Sequence, residues 1–539
     1  MNRAKHNTVF KLMIHKPRNL KNDFLSGLTV ALALIPEAIA FSFVCHVDPS
    51  VGLYAAFMMG LITAVIGGRP GMISGATGSV AIIFAGLMIQ QQQMGNSPEQ
   101  AMGFLFAAVI LMGCFQIIFG VFKLGKFIRL VPHPVMLGFV NGLAIIILMS
   151  QFELLYTGGG SAQGHLITGL HLIVMCLLIA LTMIISHFLP KITTAVPATL
   201  VAIIVISVIS VFLTKYDIVK VKTILDFVRE MDPSKQTLAA SLPLFKLPDI
   251  PYNLKTLLFI LPFSAAAAAV GLVESLMTLR LVDELTETRG RGNKESVGQG
   301  VANFVNGFFG GMGGCAMIGQ SMINIRAGGR GRTSGITAAL FLLAFFLIAA
   351  PLIEIIPLAA LIGVMFMVVI ATFEWSSFRI LSKIPKTDAL VIVVVSAITV
   401  ITGNLAIAVI VGIILSALTF AWKKGKVMYS NTSIDEKGTK TYKLTGSLFF
   451  GSATTFKDLF EFNDDPKYVT IDFKNARIYD HSGIEALNNV AEKYNQLDIK
   501  LHLINLSKES KQLLKKAKNI VEITIIEDLD WHLANDKLA

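Results

Sequence analysis

Two glycine-broken runs hold the residues best placed to do chemistry. One reads Gly67-Gly68-Arg69-Pro70-Gly71-Met72-Ile73-Ser74-Gly75-Ala76-Thr77-Gly78-Ser79; the other reads Gly307-Phe308-Phe309-Gly310-Gly311-Met312-Gly313-Gly314-Cys315-Ala316-Met317-Ile318-Gly319. Each precedes an apolar run too short to cross a bilayer as a full helix. They occupy matching places in the two halves of the chain, the pattern of a transporter built from inverted repeats. A helix that starts in mid-membrane presents unpaired N–H groups and roughly half a positive charge. Two such ends, facing each other, hold an anion without a buried Lys or Arg. The candidate binding residues are Ala76, Thr77, Gly78 and Ser79 on one side and Met317, Ile318, Gly319 and Gln320 on the other. Phe41 forms a wall. Glycine in membrane helices also serves close helix packing, but the matched placement favours the site.

The second chemical feature is a pair of carboxylates inside apolar spans. A charge in the bilayer is costly, so an acid found there is a functional candidate. Glu37 follows Pro36, which lacks an N–H and opens a helix locally, so its carboxylate can reach the cavity. A proton on Glu37 would remove a negative charge beside the incoming anion, which makes it the preferred proton-coupling residue. Glu274 is the alternative, as a sodium ligand or internal charge. Glu153 and Glu354 sit near span ends, and Asp283 and Glu284 read as cytoplasmic.

These groups must be positioned by membrane helices. Of 539 residues, 54% are hydrophobic and 15% charged, and the mean hydropathy is +0.67. That balance fits a bundle of spanning helices. About fourteen apolar runs, some short, begin near Phe24, Val51, Ala76, Ala101, Ile128, Leu166, Ala195, Leu254, Ser296, Cys315, Ser334, Ile356, Ala389 and Leu405. The reading divides the chain into an N-terminal segment 1–23, a transport domain 24–423, a polar linker 424–440 and a soluble domain 441–539.

Basic clusters set the orientation. With Arg3, Lys5, Lys11, Lys16, Arg18 and Lys21 inside, the groups at Arg69, Lys123/Lys126/Arg129, Lys191, Arg289/Arg291/Lys294, Arg326/Arg330/Arg332, Arg379/Lys383/Lys386 and Lys423/Lys424 all fall inside too. Both termini are then cytoplasmic, in a multi-pass protein of the cell's inner (plasma) membrane. The connection from Thr214 to Lys255 is a plain outer loop or a short amphipathic helix at the interface.

Several function classes drop out. The +11 net charge is spread between spans and forms no face for nucleic acid. Cys45, Cys114, Cys176 and Cys315 form no CxxC pair. The histidines lack metal-ligand spacing, so no metal or other cofactor is expected. Gly311-Met312-Gly313-Gly314 lacks the Gly-Lys-Ser/Thr of a phosphate loop. No nucleophile or acid/base constellation marks an enzyme.

Four stretches, in order along the chain, resemble the SulP family of anion permeases. Pro36-Glu37-Ala38-Ile39-Ala40-Phe41 looks like its first-span element. Gly75-Ala76-Thr77-Gly78-Ser79 is similar to its third-span motif, with Ala76 in place of Pro. Glu274-Ser275-Leu276-Met277-Thr278 through Asp283 looks like its eighth-span element. Asn324 through Gly335 resembles its loop after span ten. The tail, with Gly446–Ala453, Val469–Phe473 and Asp480-His481-Ser482-Gly483-Ile484, looks like a STAS domain, and its alternation of β-rich and helical runs reads independently as a small α/β module.

The resemblance implies an all-α polytopic domain of seven plus seven inverted segments, with core and gate domains, a cytoplasmic α/β STAS domain and a homodimer in membrane lipid. It implies a small anion as substrate and a co-transported proton or sodium. Sodium in bicarbonate-transporting members lies near the eighth-span acid and Thr278. Ile318 stands where sodium-coupled relatives offer Thr, and Gln320 where vertebrate relatives carry Arg. The departure at Gln320 favours symport with a proton or cation over simple chloride exchange, and that at Ile318 favours protons over sodium. Ser482 occupies the position phosphorylated in STAS anti-anti-sigma factors; Ser is also a preferred helix N-cap. The competing readings are a sodium-coupled bicarbonate symporter, an anion exchanger, a nucleobase permease of the same architecture, and a membrane signalling protein with STAS output. The anion itself stays open among sulfate, bicarbonate, dicarboxylates, chloride and nitrate.

Overall fold

Backbone groups in hydrocarbon must be satisfied within their own segment, so long apolar runs fold as helices. The computed structural model describes residues 20–517 except 125–131, 157–166, 194–196, 232–236, 238–240, 404, 426 and 437. The bases at Arg3, Lys5, Lys11, Lys16, Arg18, Lys126 and Arg129 lie outside the described residues. The chain forms two compact units, one ending at Ile413 and one beginning at Ile414.

The first repeat of the membrane unit comprises α1 (Leu20–Val44), α2 (Pro49–Ile66), β1 (Ser74–Gly75), α3 (Gly78–Gln93), α4 (Pro98–Val121), α5 (His133–Glu153), α6 (Leu170–Ile192) and α7 (Ala198–Lys215). After the connecting helix α8 (Ile224–Met231), the second comprises α9 (Leu254–Thr286), α10 (Gly292–Phe308), β2 (Cys315–Ala316), α11 (Ile318–Arg326), α12 (Arg332–Glu354), α13 (Leu358–Thr372) with α14 (Ser376–Leu381), α15 (Lys386–Thr402) and α16 (Leu405–Gly425). Ten of these helices, counting α13 with α14 as one, are long and apolar enough to cross a membrane among the described residues. Adding α3, α10, α11 and α15 accounts for all fourteen expected runs. α11 is nine residues, about 13 Å long, and cannot span a hydrocarbon core of ~30 Å.

The packing obeys the inverted-repeat pairing. α10 packs on α4 as α2 packs on α12, α1 on α12 as α9 on α4, and α5 on α15 as α13 on α6. α3 meets α1 and α9, and α11 meets α9 and α1. β1 and β2 cross antiparallel at the centre, with Ser74 opposite Ala316 and Gly75 opposite Cys315.

One end of the bundle is knotted by ions. Arg69 Nε lies 2.9 Å from Asp283 Oδ1. Glu295 Oε2 accepts from Gly68 N (2.6 Å), and Arg332 donates to the carbonyls of Ala64 (2.7 Å) and Gly67 (2.7 Å). α1 begins four residues before the expected Phe24. Its Asp23 is buried because it accepts from Arg330 N (2.8 Å), Gly331 N (3.1 Å) and the Thr333 hydroxyl. The connection from Thr214 to Lys255 contains α8, which buries Ile224 and Val228 and packs the Phe227 ring, tilted, against Phe43 at 4.5 Å.

The second unit holds a four-stranded sheet, ordered β3 (Tyr429–Ile434), β4 (Lys440–Leu448), β5 (Tyr468–Ile478), β6 (Lys500–Ile504). β3 runs antiparallel to β4; the other pairs are parallel. Helices α17 (Ala453–Lys457), α18 (His481–Gln496) and α19 (Lys508–Ala517) complete it, around a core that includes Leu448, Phe456, Ile471, Phe473 and Leu487. The stretch 424–440, read as linker, therefore contains a strand. β3 is an edge strand with almost no buried side chain, and such a strand needs no apolar face to signal it. Beneath the sheet, Lys440 Nζ meets Asp465 (2.6 Å) and Glu461 (2.7 Å), and Tyr442 and Tyr494 also donate to Asp465 (2.8 and 2.5 Å). Burial opposes the charge on Lys440, but the two carboxylates outweigh it and hold its pKa above the ordinary lysine range.

Candidate functional site

The β1–β2 crossing places the two half-helices. Thr77 and Met317 are their N-caps, each two residues beyond the Gly75–Cys315 pair, so the two helix starts are equivalent about that pair. The approach demands glycine: a Cβ on Gly314 would fall 1.9 Å from the Gly75 carbonyl oxygen. The Met317 N–H is taken by Ile73 O (2.9 Å). The N–H groups of Gly78, Ser79 and Val80, and of Ile318, Gly319 and Gln320, find no acceptor among the described residues. Neither cap residue supplies a side-chain bond to its helix. Six donors and two positive helix ends thus converge with no Lys or Arg among the site residues.

The expected site residues are brought together. Phe41 is buried against Gly78, where a Cβ would fall 2.8 Å from its ring. Ala76 is buried in the crossing. Gly319 is exposed and a Cβ there would meet nothing within 4 Å, so it borders open space, with Ile318 half-buried beside it. Glu37 is half-buried, with the Gln320 side chain near its carboxyl.

Two hydroxyls differ from expectation. The Ser79 hydroxyl donates to Glu274 Oε2, and Thr77 Oγ1 lies 3.2 Å from Cys315 Sγ. Cys315 Sγ in turn donates to Glu274 Oε2 (3.2 Å), and Ser79 Oγ lies 3.4 Å from Thr77 Oγ1. The four side chains close a ring between the repeats, organised by an acid that attracts both donors. Thr278 donates to Glu274 O (2.9 Å) and lies 3.4 Å from Ala316 O on β2. The neighbouring Ser275 accepts the Ala316 N–H (3.1 Å).

α10 carries polar residues that hold the crossing and that the sequence reading does not single out. Gln299 donates to Ser74 Oγ on β1 (2.7 Å) and to Glu295 Oε1 (2.8 Å). Asn303 pairs with Gly314 just before β2, its Oδ1 accepting the Gly314 N–H and its Nδ2 donating to the Gly314 carbonyl, both at 2.9 Å. It also donates to Gln116 of α4 (2.9 Å). One helix edge, with residues at intervals of four (295, 299, 303), therefore grips both strands. That spacing of polar residues inside a span was the available signal. The equivalent helix, α2, instead gives Gly60 for close approach to the Ser74 carbonyl.

In the second unit, Asp480 rather than Ser482 is the N-cap of α18, accepting from Gly483 N (2.9 Å). An acidic residue also favours that end of the helix dipole. Ser482 is half-buried on the first turn, and its hydroxyl makes no hydrogen bond to the described residues.

Comparison with known proteins agrees with this architecture. The model of the sulfate permease family matches residues 20–395, and that of the STAS domain residues 432–530. The chain is 42% identical over 498 residues to "Putative sulfate transporter YbaR" of Bacillus subtilis (strain 168), covering 92% of this chain and 97% of that one. It is 31% identical over 410 residues to the bicarbonate transporter BicA of Picosynechococcus sp., covering 74% and 70%. The solved transmembrane domain of a cyanobacterium bicarbonate transporter BicA superposes with a TM-score of 0.61 at 30% identity, over 74% of this chain and 98% of that one. SLC26A9 shares the fold, with a TM-score of 0.77 at 16% identity over 94% and 88%. With its polytopic helical domain, its central crossing and its C-terminal STAS domain, the chain belongs to the sulfate permease family, and it is a membrane transporter of the sulfate/bicarbonate anion class rather than an enzyme.

Proposed function

We propose that this protein is a secondary active symporter that carries a small anion together with a proton by alternating access. The observation that carries the reading is the convergence of six unpaired N–H groups at the facing starts of α3 and α11, beside the open space at Gly319. The anion sits there, in contact with Thr77, Gly78, Ser79, Ile318, Gly319 and Gln320 and walled by Phe41. Its class is sulfate, bicarbonate or dicarboxylate, in keeping with the names of the relatives. Helix ends alone compensate a dianion incompletely, and Gln320 adds no charge, so a travelling proton supplies the balance. Glu37, half-buried in the site next to Gln320, is its carrier. The ion-knotted end of the bundle faces the cytoplasm with both termini, in the inner membrane, and two chains form the working dimer. In the STAS unit, the unpartnered Ser482 hydroxyl is the regulatory candidate.

A second reading is supported by the carboxylate of Glu274 and by Thr278 and the Ala316 carbonyl beside its helix. Oxygen donors of these types suit sodium, which would make Glu274 the coupling group.

The test is uptake into proteoliposomes of labelled sulfate, bicarbonate, fumarate and chloride under imposed proton or sodium gradients. Wild type is expected to accumulate an anion under an acid-outside gradient. Glu37→Gln should retain exchange and lose accumulation. Accumulation that follows sodium alone, or a normal Glu37→Gln, rejects the proton assignment.

A further inference from the structure

The break between α13 and α14 takes no part in the anion site and presents a surface of its own. α13 is fifteen residues, about 22 Å, which falls short of the hydrocarbon thickness. The chain then breaks at Phe373–Trp375 and resumes as α14. Asn141 of α5 satisfies the broken backbone: its Oδ1 accepts the Glu374 N–H and its Nδ2 donates to Ser377 Oγ, both at 2.9 Å. Thus pinned, Phe373 packs on Trp375 (5.0 Å) and on Phe378 (5.7 Å). Trp375 and Phe378 remain 56% and 64% exposed. The Trp375 Nε1–H is spent on Ile370 O (2.9 Å), so the indole offers its surroundings no free polar hydrogen.

Helical winding continues past α14, since the N–H groups of Lys383 and Ile384 both donate to Ile380 O (2.8 and 3.0 Å). Trp375, Phe378, Arg379 and Lys383 therefore share one helix face, at spacings of three, four and eight from the first. Lys386 follows at the start of α15. Arg379, Lys383 and Lys386 are exposed and form no ion pair among the described residues. The two nearby acids have other partners: Glu374 Oε1 accepts from Ser376 N (3.4 Å), and Asp388 Oδ1 from Thr387 Oγ1 (3.2 Å).

We propose that this face binds the headgroup of an anionic phospholipid. Along it the side chains pass from bare aromatic rings to three cations that outnumber the two nearby acids, the order in which a phospholipid presents acyl chain, glycerol and phosphate. The net positive charge selects a headgroup of net negative charge over a zwitterionic one. The site does not depend on which anion is carried or how transport is coupled.

The chain has three tryptophans, so a W422F/W531F background leaves Trp375 as a local reporter. In mixed vesicles, its quenching by brominated phosphatidylglycerol is compared with that by brominated phosphatidylcholine at equal mole fraction. Phosphatidylglycerol is expected to associate at least about fivefold more strongly. The preference should fall toward unity in R379Q/K383Q/K386Q and at high salt. Equal quenching by both lipids in wild type overturns the proposal. So does a preference that survives both the triple substitution and high salt. Loss of the preference on adding millimolar inorganic phosphate, in vesicles that retain it with the same concentration of chloride, assigns the cations to a soluble anion and also overturns it. If the triple variant inserts poorly, the salt series on wild type decides alone.

Discussion

Ser79, at the start of the first half-helix, donates its hydroxyl hydrogen to Glu274 of the opposite repeat. An ionised Glu274 therefore competes with an incoming anion for the same donor. Replacing the carboxylate with an amide weakens that competition. A hydrogen bond to a charged group contributes roughly 1.5–3 kcal/mol, so Glu274→Gln is expected to tighten anion binding about tenfold while Ser79→Ala weakens it. Equilibrium binding of labelled anion to the purified protein reads both. Weaker binding in Glu274→Gln would mean that the acid acts through a bound cation, as the sodium reading requires.

Gly319 and Gly314 separate site from scaffold. A Cβ at Gly319 meets nothing within 4 Å, whereas one at Gly314 falls 1.9 Å from a backbone oxygen. Gly319→Ala should fold and transport. Gly319→Trp should insert normally and lose transport. Gly314→Ala should fail at the level of folded yield. Size-exclusion profiles alongside uptake assays distinguish the three, and full transport by Gly319→Trp would reject the placement of the anion.

Asn303→Leu would strand both polar groups of Gly314 in the interior, where an unsatisfied group costs ~1–3 kcal/mol. A loss of anion affinity of about tenfold or more is expected, larger than for a Leu placed at an outward position of α10. Gln299→Leu should act in the same direction through Ser74. Binding constants and turnover measured together show whether the effect falls on affinity, as positioning predicts, or on folded yield alone.

The STAS unit should be separable only if the cut respects β3. A chain ended before Tyr429 is expected to insert and keep its substrate preference, with a changed rate. A chain ended near Ser433 leaves nearly all of β3 without its partner β4 and should be recovered in lower yield. A shortened chain that inserts but prefers a different anion would contradict separability.

Lys440→Met leaves Asp465, whose side chain is 0% exposed, buried without its cation. Breaking a buried pair in this way costs ~3–5 kcal/mol. The C-terminal unit should unfold at lower temperature, with membrane insertion unchanged. Limited proteolysis of the full-length protein across a temperature series measures this.

Much of the membrane unit is legible from residues because hydrocarbon imposes a single local solution, the helix, and because the glycine breaks must sit where backbones meet. The glycine breaks lie at the β1–β2 crossing, with Phe41 against Gly78, for that reason. Three features escaped. Cys315 looks like an inert apolar residue until the crossing sets it beside Glu274. Gln299 and Asn303 lie in a span judged by its mean hydropathy, which hides a periodic polar edge. β3 reads as linker because an exposed edge strand carries no buried face. In each case the missing information is which partner lies across a long separation in sequence, and local pattern does not contain it.

The grip of α10 on both strands has a further consequence. The repeats are related by a two-fold arrangement, yet the amide side chains that fix Ser74 and Gly314 come from one repeat alone. Exchanging the roles of the halves would not regenerate the same set of bonds. No symmetry therefore equates the two states that alternating access would interconvert, and nothing in these bonds obliges the empty carrier to populate them equally.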